Sequence, residues 1–343
     1  VRRLRPVGKT RNLETKLWIV MPVFNDWDSA TVTVLQLCEI GLQCPVTLVV
    51  VDDGSTQQKE KNLFTNTLLG HSTNSNFAIH ILDSHANSGN QIAIMQGLSY
   101  ISKMASEPDL IAVMDADGED KPEDLPKLFS KLLLGNVDVV VARRGSRHQS
   151  LGFLVMHTLF RFTFKLLTSK SVDFGNFMIF RQRLLRSILH KSKKSGNSLP
   201  GIVLSISPEI ERVTINRGKR NFGYSRTGLD GLIIWGMELI APFSKLILAR
   251  VLRISLFICF LLILVASILL GLRLLTDVLI PGTASTLLLA LLALLLILIF
   301  LSCTAVLSFS KLETIADRFS GTYPTSFIAE YDVKILPVRG KRD

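Results

Sequence analysis

The chain has 343 residues, enough for one large domain or two smaller ones. Hydrophobic residues make up 48% and charged residues only 20%, too apolar a balance for an ordinary soluble enzyme of this length. The net charge of +11 has a local origin: twelve Lys or Arg residues lie between Arg143 and Lys194, against one acid, Asp173. A nucleic-acid surface, anionic lipid headgroups or a phosphorylated substrate would each explain that stretch.

Residues 1–15, opening "VRRLRPVGKTRN", read as a basic tail, disordered or lying near anionic lipid, with no hydrophobic signal segment. Residues 16–142 then alternate strand-like and helix-like segments. Apolar runs rich in Val and Ile predict strands over 17–24, 46–53, 77–83, 110–117 and 137–143. Helical patterns fall over 90–104 and 122–135, the second ending on Gly135, a residue suited to C-capping. Near-continuous apolar strands alternating with helices predict an α/β fold with a mostly parallel sheet covered on both faces. Ligands of such sheets bind beyond the carboxyl ends of the strands, where Asn25-Asp26, Asp52-Asp53, Asp83 and Asp115-Ala116-Asp117 fall.

The densest of these acidic stretches is "MDADGEDKPEDL", residues 114–125. Asp120, Glu123 and Asp124 suit the start of a helix at Pro122, as a cap and as charges complementing its dipole. That reading leaves Asp115, Asp117 and Glu119 unexplained, and crowded carboxylates are costly unless a cation, an arginine or a proton relieves them. No P-loop pattern and no G-x-G-x-x-G follows the first strand, so phosphates must be handled another way. Carboxylates holding Mg²⁺ or Mn²⁺ that carries a diphosphate would serve.

Further on, "GLDGLIIWGMELIAPFSKL" (228–246) mixes apolar residues with Trp235 and few charges and reads as an interfacial amphipathic helix, over 228–247. Ile254 to Leu272 run 19 positions without a charge, and Val278 to Ser310 contain none either. Each is long enough to cross about 30 Å of hydrocarbon as a helix, so residues 248–310 are expected to form a two-helix transmembrane hairpin, about 254–275 and 286–308, turning at Pro281-Gly282. Lys245, Arg250 and Arg253 precede the first span, Lys311 and Arg318 follow the second, and the loop between offers only Arg273 beside Asp277. By the positive-inside rule both termini and the catalytic part face the cytoplasm, with residues 311–343 a cytoplasmic tail. Cys38, Cys44, Cys259 and Cys303 lack metal-ligand spacing and read as reduced, structural thiols.

These residues resemble the glycosyltransferase family 2 catalytic domain of the GT-A fold, and more narrowly the polyisoprenyl-phosphate glycosyltransferases of the dolichyl-phosphate mannose synthase type. Seven segments carry the resemblance, over about residues 16–230. They are Pro22-Val23-Phe24-Asn25-Asp26 for P-x-Y-N-E, the intact V-D-D-G-S of Val51 to Ser55, the N-x-G of Asn87 to Gly89, and Asp115-Ala116-Asp117-Gly118-Glu119-Asp120 for D-A-D-L-Q-D. Ala142 to Arg147 and Asp173 to Phe177 match G-x-R-x-x-R and D-x-G-D-F, and Arg220 to Ser225 match R-x-x-G-x-S.

The resemblance implies a GT-A domain over residues 16–227 of a membrane-bound, cell-envelope enzyme, an integral protein of the bacterial inner membrane. Its partners would be a nucleotide-diphosphate sugar donor, a polyisoprenyl phosphate acceptor of the undecaprenyl or dolichyl type and the lipid bilayer, with no nucleic acid; a homo-oligomer is left open. Asp117 and Glu119 would ligate the divalent metal, with Asp115 at the ribose or the metal's water shell. Pro22, Phe24, Asp26, Asp52, Asp53, Asn87 and Gly89 would line the nucleotide-sugar pocket. Arg144, Arg147, Arg220 and Ser225 would take the acceptor phosphate, Arg143 replacing Arg144 if the register is shifted by one. Asp173 is open between a positioning residue or base and a carboxylate balancing neighbouring arginines. Asn176 stands where the family often has Asp, which weakens any argument for a base there. Transfer would invert the anomeric centre. Two alternatives stand beside this reading: a related transferase acting on another lipid or glycan, and an inactive nucleotide-sugar-binding scaffold, which the intact Asp52, Asp53, Asp115 and Asp117 disfavour.

Overall fold

The computed structural model of the chain describes residues 15–42, 44–70, 76–144, 151–207, 209–216, 218–222, 229–275, 283–319 and 330–333. Its strands are β1 (Leu17–Val23), β2 (Val46–Asp52), β3 (Phe77–Asp83), β4 (Leu110–Val113), β5 (Val139–Arg144), β6 (Phe174–Arg181), β7 (Glu211–Ile215) and β8 (Glu330–Val333). They form one sheet in the order β7-β5-β6-β4-β1-β2-β3-β8. The β4-β1-β2-β3 centre is parallel, as is β5 with β7, whereas β6 runs antiparallel to both β4 and β5 and β8 antiparallel to β3.

Period-two alternation sends each strand's residues to two cores. From β1, Leu17, Ile19 and Met21 enter one and Trp18 and Val20 the other. The first core is covered by α1 (Trp27–Glu39), α2 (Gln58–Gly70) and α4 (Leu125–Leu134), through residues such as Val34, Phe64 and Leu128. The second is covered by α3 (Asn90–Ile101), α5 (Leu151–Thr168), α6 (Leu185–Ser195), α7 (Leu199–Ile206) and α8 (Leu229–Ile240). Because both faces are covered, the strands can be apolar throughout, as their sequence demands.

Several boundaries differ from the sequence expectation. The fourth strand stops at Val113 rather than running to 117, because its pairing with β6 ends at Val113↔Met178 and the Asp115 N–H turns to Asp120 Oδ2, 3.0 Å away. The acids 115–119 therefore sit in a loop. Pro122–Asp124 form a 3-10 turn before α4, since Pro126 at the start of that helix gives a second N-terminal position with no N–H to satisfy. Gly135 does end α4, but in an extended conformation, and the last carbonyls are capped from elsewhere: Arg181 donates to Leu132 O at 2.9 Å and to Val137 O at 3.2 Å. Arg181, within the basic stretch 143–194, is thus a helix cap, and Arg183 is paired with Asp138.

After α8 a 3-10 turn at Ala241–Phe243, containing Pro242, leads into α9 (Ser244–Leu275), which is continuous across the expected boundary at 247. Then α10 (Thr283–Phe319) returns along α9, with Ser255 and Ser302 hydroxyls 2.8 Å apart, and reaches α6. The apolar stretch Ile234–Leu272 is long and apolar enough to cross a membrane, and its most apolar 18 residues are almost wholly uncovered by protein; the apolar core of α10, Leu289–Thr304, is shorter. Beyond it β8 rejoins the sheet, at Ile79↔Val333 and Leu82↔Glu330. Burial raises the Cys38 thiol to about 11 and pushes Cys44 up as well, in keeping with inert structural thiols.

Candidate active site

The carboxyl ends of β1, β2, β3 and β4 and the amino end of β6 meet at one edge of the sheet, and the predicted residues gather there. Pro22 is the last residue but one of β1, and Phe24, Asn25 and Asp26 form the loop into α1. Asn25 takes φ +48°, and its N–H donates to Ser55 Oγ at 3.0 Å while its Oδ1 accepts from the Thr56 N–H at 2.8 Å. The first loop is thereby tied to the D-D-G-S turn.

In that turn the two adjacent aspartates face different neighbours. Asp52 Oδ1 accepts the Ser55 N–H at 2.8 Å, and Lys61 Nζ lies 2.9 Å from Oδ2. Asp53 Oδ1 takes the Ser88 N–H and hydroxyl, and Oδ2 the Gly89 N–H, each at 2.8 Å. Both aspartates are buried. Gly54 has φ +72°, and a Cβ there would stand 2.6 Å from the Ala86 carbonyl carbon, so no other residue fits between the two loops. The Asn87 side chain accepts the Gly89 N–H at 3.1 Å and so shapes the entry to α3.

The loop after β4 is organised differently. Ala116 and Asp120 are buried, while Asp115, Asp117 and Glu119 are half-buried. Glu119 N–H donates to Asp117 Oδ1 at 3.0 Å across Gly118, whose φ is +84°. The segment 218–222 lies against this turn. The Gly218 N–H donates to Glu119 O and the Asn221 N–H to Asp117 O, both at 2.9 Å, and a Cβ on Gly118 would meet the Asn221 side chain at 2.5 Å. On the same segment Arg220 pairs with Asp26, Nη2 to Oδ2 at 2.9 Å. Loops 24–26, 117–119 and 218–222 are stitched together by these contacts.

Asp115 Oδ1 accepts from the amides of Asn90 and Asn176, each at 3.3 Å. Behind it Gln91 Nε2 donates to Asn176 Oδ1 at 2.9 Å, and Gln91 Oε1 accepts the Leu199 N–H at the start of α7 at 2.8 Å. Gln91, Asn90, Ser55, Ser88 and Lys61 were not singled out in the sequence. Asn90 and Gln91 directly follow Asn87-Ser88-Gly89, so position in the chain was their only signal; Lys61 had none. Asp173, just before β6, is engaged by Arg143 at 3.3 Å and Arg212 at 3.0 Å. Arg144 ends β5, while Arg147 and Ser225 lie outside the described residues.

Among the described residues no three His, Cys, Asp or Glu side chains cluster closely enough to hold a metal by themselves. Asp117 and Glu119 offer two carboxylates on one tight turn, a donor set of hard oxygens. That fits Mg²⁺ or Mn²⁺, which commonly takes one or two carboxylates and completes its shell with water and substrate phosphate.

A sequence model of glycosyl transferase family 2 matches residues 18–189. The chain belongs to that family. The layered sheet with its acids at the carboxyl edge is the family's GT-A architecture. This family 2 chain is similar to an undecaprenyl-phosphate 4-deoxy-4-formamido-L-arabinose transferase of Yersinia enterocolitica serotype O:8, with 28% identity over 223 residues. The protein of the same name from Yersinia pestis (strain Pestoides F) is 27% identical over 223 residues. Each match covers 64% of this chain and 64% of the relative's own length. Among solved structures it is similar to glucosyl-3-phosphoglycerate synthase from Mycobacterium tuberculosis in complex with Mn²⁺, uridine diphosphate and glucosyl-3-phosphoglycerate. There the TM-score is 0.48 and the identity 16%, covering 71% of this chain and 86% of that one.

Proposed function

We propose that the chain transfers a sugar from a nucleotide-diphosphate sugar to a polyisoprenyl phosphate of the undecaprenyl or dolichyl type, at the cytoplasmic surface of a membrane and with inversion. The relatives' own acceptor is undecaprenyl phosphate, by name. The observation that carries the reading for this chain is the amide of Asn176 against Asp115. An amide cannot take a proton from an attacking hydroxyl, so the site suits a nucleophile that arrives ionised. A lipid phosphate, with a second pKa near about 6, is such a nucleophile.

In this reading Phe24 and the 24–26 loop hold the base and ribose, with Asp52 and Asp53 fixing the turns that shape the pocket. Asp117 and Glu119 would hold the divalent cation, which neutralises the charge growing on the nucleoside diphosphate as it leaves. Asp115, oriented by Asn90 and Asn176, stands beside them and positions the donor sugar. Arg144, Arg147, Arg220 and Ser225 supply the acceptor's phosphate contacts, arginine being suited because its planar fork takes paired oxygens. Asp173, bridging Arg143 and Arg212, orders the basic edge next to them.

Two features support membrane seating. On α5, Leu159, Phe162 and Leu166 are 63%, 66% and 66% exposed at helical spacing, and Ile234 and Met237 on α8 are exposed as well. The end of α5 is fastened to α9 by Arg250, which donates to Leu167 O at 2.9 Å. The return of β8 to β3 requires the chain to come back to the side it left, so if α9 crosses the bilayer, α10 crosses it too.

The test is transfer by the membrane-embedded protein, with a panel of radiolabelled nucleotide sugars offered to undecaprenyl phosphate and to undecaprenol. Product is expected from the phosphate alone. Equal transfer to the alcohol would remove the pre-ionised nucleophile from the reading.

A further inference from the structure

Asp52 and Asp83 are register partners on β2 and β3, so two carboxylates leave neighbouring strands at the same level, where like charges repel. Lys61 of α2 reaches between them. Its Nζ lies 2.9 Å from Asp52 Oδ2 and also hydrogen-bonds Asp83 Oδ1. The Lys61 side chain is 8% exposed, and its ammonium stands 5.6 Å from the centroid of the buried Trp27 ring on α1. An ammonium this deep is costly unless paired. Burial pulls its pKa down, and the hydrogen bonds and charges of Asp52 and Asp83 outweigh that, holding it above the ordinary 10.5. Lys61, Asp52 and Asp83 together carry one net negative charge.

The cluster does not end at the carboxylates. The other Asp52 oxygen takes the Ser55 N–H, and Ser55 Oγ takes the N–H of Asn25, which stands between Phe24 and Asp26. Asp53 points away, to Ser88 and Gly89, and takes no part. None of the seven family-like segments contains Lys61 or Asp83. We infer that Lys61 is a positioning residue for the donor: it clamps Asp52 and Asp83 side by side and, through Asp52 and Ser55, sets the loop on which the nucleotide base rests. The inference rests on the donor reading above and adds to it a charge balance at Lys61, Asp52 and Asp83.

The experiment titrates UDP and GDP, each with Mg²⁺, into the full chain in lipid nanodiscs, for the parent, Lys61→Met and Lys61→Met/Asp83→Asn. Lys61→Met should weaken binding of whichever nucleotide the parent takes by about tenfold. The loss should deepen between about pH 5 and 8, as the second of two unbalanced carboxylates ionises. The parent should be flat over that range, because its ammonium stays charged. At saturating donor, turnover by Lys61→Met should stay near the parent's, so the defect appears in the donor KM rather than in kcat. The double variant restores a single net negative charge and should bind within about threefold of the parent, with the pH dependence gone. It is decisive even if Lys61→Met alone fails to fold. Unchanged affinity in Lys61→Met, or a folded double variant that binds tenfold worse, would overturn the inference while leaving the donor reading standing. A parent that binds neither nucleotide would overturn the donor reading, and this inference with it.

Discussion

Two acidic clusters stand at the same edge of the sheet and meet opposite fates. At the ends of β2 and β3 the carboxylates of Asp52, Asp53 and Asp83 are turned inward onto backbone N–H groups, a serine hydroxyl and one lysine. After β4, Asp115, Asp117 and Glu119 remain half-buried at the loop surface, and only Asp120 is withdrawn. The difference lies in what surrounds the turn. V-D-D-G-S is pressed against the 84–89 loop, where Gly54 leaves no room for even a methyl group, so its acids meet donors at once. The 115–119 turn is instead held by the 218–222 segment through its backbone carbonyls, and Asp115, Asp117 and Glu119 stay half-buried. On the proposed function, like-looking aspartates thus divide into those that hold the site's shape and those that would do its chemistry.

Substitution should separate the two roles. The largest effect is expected from Asp117→Asn, which should lower transfer by on the order of 10²–10³ with little change in melting temperature. EDTA should do the same to the parent, with Mg²⁺ or Mn²⁺ restoring activity. Full activity in EDTA would return the acidic loop to a structural role. Asp53→Ala should act the other way. Three contacts to one charged group are lost, so about 3 kcal/mol of stability should go with them, read as a lower denaturant midpoint. If that variant melts like the parent and has merely lost activity, the contrast between the clusters fails.

Next comes Arg220→Ala, expected to reduce use of polyisoprenyl phosphate about ten- to a hundredfold, with nucleotide affinity measured without lipid near the parent value. Because Arg220 also touches Asp26, an equal loss of donor binding would move this arginine to the diphosphate. Asn176→Asp would set a carboxylate against Asp115 and should cost about tenfold in transfer, the deficit growing from about pH 6 to 8 as the second acid ionises. A gain of activity there would show that the site can use a base. The smallest effect, about two- to threefold, is expected from Phe162→Ser on α5, in vesicles but not in detergent; an equal change in both would make the stripe ordinary packing.

Much of this was legible in the chain. The positions of β1 to β5 followed from Val- and Ile-rich runs, whereas β6, β7 and β8 were not foreseen, and the acids at strand ends followed from the rule that parallel sheets bind at their carboxyl edge. Strand length was not legible at β4, because the signal that stops it is a side chain, Asp120, capturing the Asp115 N–H. Nor could the sequence show that Arg181 caps α4, since its carbonyl partners lie more than forty residues away. Lys61 was invisible for the same reason: its partners, Asp52 and Asp83, meet only once β2 and β3 are in register.

The pairing of β3 with β8 bears on how the molecule is made. During synthesis β3 emerges early, yet Ile79 must wait for Val333, so the outer edge of the sheet stays open until residues 330–333 have been made. Both α9 and α10 are made in that interval. Closing so long a loop is slow and entropically costly when the intervening chain is free, and much easier once two helices have been laid side by side. Pairing of α9 with α10 therefore eases the docking of β8, and a chain in which the two helices fail to pair keeps an open edge at β3.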